Sequence, residues 1–224
     1  MFRSAIQALQ DRERRFRRSF GRDISTPRER WRSRLHYELF DHAILRRTWT
    51  NFAEVAPGVY RSNHPTHTRL RRAKARGIKT ILNLRGEGRW AHHLFEKESC
   101  AELGLTMVSV SLNARRAPER EELQKLIALF RSIEKPFLMH CKSGADRAGL
   151  ASAIYLLAIE KRPLTEARKH LSFRFLHIKS SKTGILDALL DQFEPHEPEM
   201  DFETWLATRY DPEELTRHFA ESRT

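Results

Sequence analysis

The stretch that most constrains this chain runs from Pro136 to Ile159. Pro136, Phe137, Leu138 and Met139 form a short apolar run of the kind a buried strand requires. From Ala148 to Ile159 a longer apolar segment reads as a buried helix. Between them lie His140, Cys141, Lys142, Ser143, Gly144, Ala145, Asp146 and Arg147. A strand that turns tightly into a helix aims backbone N–H groups and the positive end of a helix dipole at one point. Such a point binds an anion, phosphate above all.

Cys141 opens the loop and Arg147 closes it, with five residues between them. The N–H groups of Lys142, Ser143, Gly144, Ala145, Asp146 and Arg147 are expected to converge on a bound oxyanion. Arg147 holds two phosphoryl oxygens in its planar fork, which an ammonium does not do. Gly144 relieves the sharply curved backbone. A cysteine in such a setting is a nucleophile facing an electrophile. The expected reaction has two steps: Cys141 attacks phosphorus to give a phosphocysteine, and water then hydrolyses it. Arg147 and the N–H groups meet the charge on the phosphoryl group, so the scheme calls for no metal and no cofactor.

At these residues the chain resembles the cysteine-dependent phosphatases. His140, Cys141, five residues and Arg147 match their His-Cys-x5-Arg signature. The wider run through Gly149 is similar to bacterial members of the dual-specificity and tyrosine phosphatase branch. The segments from Val59 to Pro65 and from Gly77 to Arg85 resemble the same branch, so the resemblance covers roughly residues 52–194. It implies an α/β, protein-tyrosine-phosphatase-like fold: a small, mostly parallel central sheet flanked by helices. It also implies a phosphomonoesterase acting on phosphoproteins or on phosphorylated lipids and inositols.

Two positions depart from that pattern. Ala148 stands where the branch usually has a hydroxyl that helps the thiolate leave, and Ser143 is a substitute for it. The upstream loop that usually carries a general-acid Asp reads Ser111 to Pro118 and holds no carboxylate before Glu119. Asp146 takes its place as the expected acid, in an arrangement that resembles myotubularin-type phosphoinositide phosphatases; Glu87 is the second candidate. The departures keep a rival open, a module that captures phosphate but turns over poorly. A rhodanese-like sulfurtransferase shares the Cys-loop-Arg layout, but its loop is usually shorter.

The rest of the chain is organised around this unit. Its 224 residues suffice for one good core plus extensions. A formal charge of +12 suits anionic partners such as phosphorylated substrates. Two cysteines, Cys100 and Cys141, offer no disulfide framework and fit a reducing, cytoplasmic setting, with a regulatory bridge between them as an open alternative. Residues 1–50 hold 13 Arg and 6 acidic residues and are expected to be a basic helical extension. Phe2, Ile6, Leu9, Phe16 and Phe20 fall roughly on one helix face, and Trp31, Leu35, Leu39 and Phe40 mark a second helix after Pro27. That extension either packs on the catalytic unit or a second subunit, or lies peripherally on anionic lipid. No aromatic-interleaved basic pattern points to nucleic acid. Residues 51–194 are the expected catalytic domain. Within it, Arg85 and Glu87 follow a strand at the ligand-binding end of the sheet, and Arg115 and Arg116 occupy the loop that lacks the acid. His92 and His93 lack the companions of a metal site. Phe173 to Lys182, with His177, reads as a basic loop near the site. Residues 195–224 form an acidic helical tail, and its charge suits docking on the basic N-terminal segment. Oligomeric state is not legible.

Overall fold

The structure is a computed structural model that describes residues 20–223, together with Gln7, Asp11 and Arg12. Phe2, Ile6, Leu9 and Phe16 lie outside the described residues.

A five-stranded sheet organises the fold: β1 (Ala53–Ala56), β2 (Val59–Ser62), β3 (Thr80–Asn83), β4 (Thr106–Ser109) and β5 (Phe137–His140), in the order β1-β2-β5-β3-β4. Only the β1–β2 pair is antiparallel. The predicted α/β architecture with a mostly parallel sheet is therefore present. β5 sits centrally, with Ser62 of β2 and Asn83 of β3 flanking His140 in register. Three strands thus end together just below Cys141, at the edge where open parallel sheets bind ligands.

Alternation along the strands separates two apolar layers. Val59, Leu82, Phe137 and Met139 face the larger one, covered by α4 (Arg120–Ser132) and α5 (Asp146–Ala158). Ile81 and Leu138 face the smaller one, with Leu70 of α2 (His67–Ala75) and Cys100 of α3 (Ala91–Leu103). Every residue of α5 from Ala148 to Ala158 is buried, which explains its nearly unbroken apolar sequence. α4 is amphipathic instead. It packs Leu123, Leu126, Ile127 and Phe130 inward and starts at a capping box between Glu119 and Glu122. Both cysteines are free, and Cys100 belongs to the smaller layer.

The second N-terminal helix forms as expected, as α1 (Pro27–Leu39), capped by Thr26. Its orientation differs from the apolar reading. Ser33 and Tyr37 are buried, whereas Trp31, Leu35 and Leu39 are exposed. α1 packs on α3, where Arg30 pairs with Glu98 and His36 stacks on Trp90.

The acidic C-terminal segment is not seen docked on the basic N-terminal region among the described residues. Beyond α6 (Leu164–Ala167) and α7 (Ile185–Phe193), α8 (Phe202–Thr208) and α9 (Pro212–Glu221) close the larger layer. Phe202, Trp205, Leu206, Tyr210 and Leu215 are buried in it. Its charges pair within the catalytic part: Glu203 with Arg131 and Lys161, and Asp201 with Lys161. Tyr210 also donates to the Pro118 carbonyl at 2.7 Å. Burial of the aromatic face holds these helices to the core, since exposed ion pairs contribute little. No described helix is long and apolar enough to cross a membrane.

Trp205→Ala empties a site only 1% exposed and is expected to cost about 3–5 kcal/mol. Urea unfolding should register that loss in one cooperative transition; a loss below about 1 kcal/mol would mean the C-terminal helices unfold separately.

Candidate active site

β5 delivers Cys141 to the sheet edge, and the chain curls through Ala145 into α5. Cys141 is 1% exposed, and the Gly144 N–H points at its Sγ at 3.3 Å. Gly144 has φ +73°, and a Cβ there would lie 2.6 Å from the Asn63 nitrogen and 2.8 Å from the Ser62 carbonyl carbon. Neither the conformation nor the space admits a side chain.

Arg61 holds this curl from behind. Its β2 side chain is wholly buried, and it donates to the carbonyls of Gly144, Ala145 (3.3 Å) and His170 (2.8 Å). The guanidinium lies 3.8 Å over the Phe175 ring. Burial pulls its pKa down to about 10, so it is still a cation at neutral pH. Asn51 adds a second tether, donating to the Ser143 carbonyl at 2.9 Å and the Phe175 carbonyl at 2.8 Å. With the Gly144 and Ala145 carbonyls tied to Arg61, the Gly144 N–H is left toward the Cys141 sulfur. The sequence reading overlooked both roles, because an arginine in a strand and an asparagine before one show nothing of partners about 80 to 120 residues away.

The loop opens into a cavity of about 540 Å³ lined by Lys142, Ser143, Asp146, Arg147, Thr183, Arg115 and Asn113, and by Leu112, Leu45 and Trp49. His42 and Arg46 complete its wall. The structure thus brings Lys142, Ser143, Asp146 and Arg147 together. Arg147 has no hydrogen bond or ion pair among the described residues. Gly144 and Ala145 form the buried back of the loop, and Ala148 is buried beneath it. Ser143 Oγ accepts from the Ala145 N–H at 3.3 Å. Of the loop arginines, Arg115 reaches the mouth, whereas Arg116 is drawn to Glu119 and Glu122. Arg85 and Glu87 do not line the cavity: Glu87 is exposed, and Arg85 is paired with Asp41.

Asp41 organises the cations beside the mouth. It receives Arg85 at 2.7 Å and Arg46 at 2.7 Å, with Lys142 at 3.7 Å. Burial pushes its carboxyl up, but the bonds and charges of Arg85 and Arg46 outweigh that and hold it well below the usual range. Burial, with Arg85 and Arg46 adding to it against the attraction of Asp41, draws the Lys142 ammonium down from its ordinary value.

Asp146 faces the cavity on one side and His177 on the other. His177 bridges Asp146 Oδ1 at 2.8 Å and Asp187 Oδ2 at 2.6 Å. Burial opposes charging of this imidazole, but the two carboxylates raise it from 6.5 to about 9. Burial likewise pushes the Asp146 carboxyl up, yet His177, Thr183 and Arg147 bring it below its ordinary value. His177 had read as part of a basic loop; here it is a buried imidazolium between two carboxylates.

The sign of the linkage follows. A raised His177 contributes stability in full below pH 6.5 and loses it as pH rises through about 9. Stability from urea unfolding should therefore fall across that window in the wild type and stay flatter in His177→Gln. Equal slopes would show that the bridge carries no proton linkage.

The sequence model of a family described as DSP-PTPase phosphatase fused to NAD+ kinase matches residues 48–183. No curated protein matches the chain in sequence. Among solved structures, TpbA of P. aeruginosa is 18% identical with a TM-score of 0.52, covering 76% of this chain and 91% of its own. TpbA in complex with pTyr gives 17% and 0.51, over 76% and 90%. A putative phosphatase from Shewanella putrefaciens CN-32 is 18% identical with a TM-score of 0.52, over 65% of this chain and 89% of its own. These likenesses are ones of fold.

Proposed function

The chain belongs to the DSP-PTPase family of cysteine-dependent phosphatases, and we propose that it works through Cys141 as nucleophile and the 142–147 loop as phosphate cradle. One observation carries this assignment: Arg61 binds the Gly144 and Ala145 carbonyls while the Gly144 N–H points toward the Cys141 sulfur. Cys141 Sγ attacks phosphorus, the bond to the leaving oxygen breaks, and a phosphocysteine forms. Arg147 grips the equatorial oxygens as charge shifts onto them. Water then attacks phosphorus, the S–P bond breaks and phosphate leaves. Ser143, on the cavity wall, is our candidate to donate to the departing thiolate, since Ala148 has no hydroxyl.

Asp146 handles the proton. Its carboxyl is held in the anionic form, so it is better suited to take a proton from the hydrolytic water than to protonate a leaving group. The first step then favours substrates whose leaving group departs without help. Residues 51–194 hold this machinery, and the flanks serve it: 42–49 wall the mouth and 202–215 complete the core.

The mouth argues for substrates carrying more than one phosphate, such as phosphorylated inositols or lipid headgroups. Arg115, Lys142 and Arg147 line it against one carboxylate among the described residues, Asp146, while Arg46 beside them is bonded to Asp41. A second reading, phosphotyrosine, is favoured by the apolar shelf of Trp49, Leu45 and Leu112, which fits an aryl ring.

Hydrolysis of para-nitrophenyl phosphate should vanish in Cys141→Ser while vanadate binding persists. Asp146→Asn should slow turnover about 10²-fold and accumulate phosphoenzyme. A loss that instead grows with the pKa of the leaving group would make Asp146 the acid. Wild-type protein that binds vanadate without turnover would leave only a phosphate-binding module. Arg115→Ala should lower kcat/KM about tenfold for an inositol polyphosphate, as one charge-assisted contact warrants, and leave phosphotyrosine nearly unchanged. The reverse order would favour the aryl substrate.

A further inference from the structure

A second constellation lies on the other face of the sheet, below the phosphate loop. Leu138 and His140 alternate toward the layer covered by α2 and α3. His64 enters it two residues beyond the end of β2, and Glu96 enters it from α3. All three side chains are at most 2% exposed. Glu96 Oε1 lies 2.5 Å from His140 Nε2, and Glu96 Oε2 lies 3.9 Å from His64 Nδ1. One ligand atom from each residue falls within 4.8 Å of the others.

These groups are not satisfied as they stand. His64 Nδ1, His140 Nε2 and both Glu96 oxygens are buried without a hydrogen bond. The short Glu96–His140 contact does not follow the direction of a ring N–H. A buried carboxylate with neither oxygen bonded costs several kcal/mol unless a cation neutralises it. A proton on His140 would answer one oxygen and leave Oε2 and the His64 nitrogen unpaired. A metal ion answers all of them.

We propose that His64, Glu96 and His140 form a binding site for a divalent transition-metal ion, zinc by the chemistry of the donors. Two imidazoles and a carboxylate make a three-ligand zinc set with one position left over. His64 and Glu96 also line a cavity of about 510 Å³ between α1, α2 and α3, although their ligand atoms are buried. The surroundings of His140 also fit. Its Nδ1 lies 3.4 Å from the Cys141 carbonyl, and metal-bound imidazoles characteristically turn their other N–H to such an oxygen. The His64 backbone N–H donates to the Lys142 carbonyl at 3.3 Å, which fixes the chain that carries this ligand beside the loop. An ion held here ties together the two strand ends that anchor the phosphate loop. His92 and His93, adjacent in sequence, are not members of the set. The site is a structural clamp beneath the loop, separate from the phosphoryl-transfer steps.

The test uses tag-free, full-length protein stripped with chelator, reloaded with Zn²⁺ and passed through gel filtration. Metal analysis should find about one zinc per chain, with a rise in melting temperature that chelator reverses. Glu96→Gln and His64→Gln should lose the zinc, and Cys141→Ser should keep it. X-ray absorption on zinc-loaded Cys141→Ser should show a nitrogen and oxygen shell near ~2.0 Å without sulfur, which holds even where Glu96→Gln does not fold. Folded wild type that retains no zinc overturns the proposal. So does zinc retained by both Gln variants, or zinc lost in Cys141→Ser, which would place it on the nucleophile. None of these readouts requires turnover, so the phosphatase reading stands or falls separately.

Discussion

The active site depends on a buried arginine that never needs to touch the substrate. Arg61 sits in a strand, wholly covered, and spends its donors on loop carbonyls. Burying a guanidinium is costly unless its N–H groups are bonded and its charge is answered. Here carbonyl oxygens take the two terminal nitrogens, the Phe175 face lies against the plane, and the Asp146 carboxylate is an opposing charge nearby. The result is a peptide loop turned inside out. In the proposed site, ordinary backbone polarity becomes a socket for an anion, and Gly144 permits the curl because nothing larger clears Asn63.

What the sequence disclosed follows from how local each signal is. The strand, loop and helix around Cys141 are contiguous, so their apolar run, glycine and arginine could be read together. The parallel sheet follows from strands separated by helix-length segments. Arg61, Asn51 and His177 were opaque for the opposite reason: each acts through contacts distant in sequence. His177 lies among basic residues, and only the fold places it between Asp146 and Asp187. Trp31, Leu35 and Leu39 marked the helix correctly, while tertiary packing chose to bury Ser33 and Tyr37 instead. At 195–224 charge was the loudest signal, and it concealed the spacing of Phe202, Trp205, Leu206 and Tyr210.

The entrance shows how a strongly basic chain keeps its cations in place. Asp41 holds Arg46 and Arg85 in one buried cluster and stands close to Lys142. Arranged charges beside a cavity cost no reorganisation when an anion arrives, which is how a site gains electrostatic strength. Since Asp41, Arg46 and Trp49 precede the first strand, the segment before the sheet helps shape the mouth of the site.

The C-terminal helices carry a consequence for how the protein is made. Trp205, Tyr210 and Leu215 close the layer that supports β5 and α5. A ribosome delivers those residues after the loop. While they are still inside it, the nascent chain has its nucleophile and its arginine but lacks the wall against which the loop's helix is seated. The layer behind the loop therefore closes only after residues 202–215 have followed it out, about sixty residues later in the chain than the loop itself.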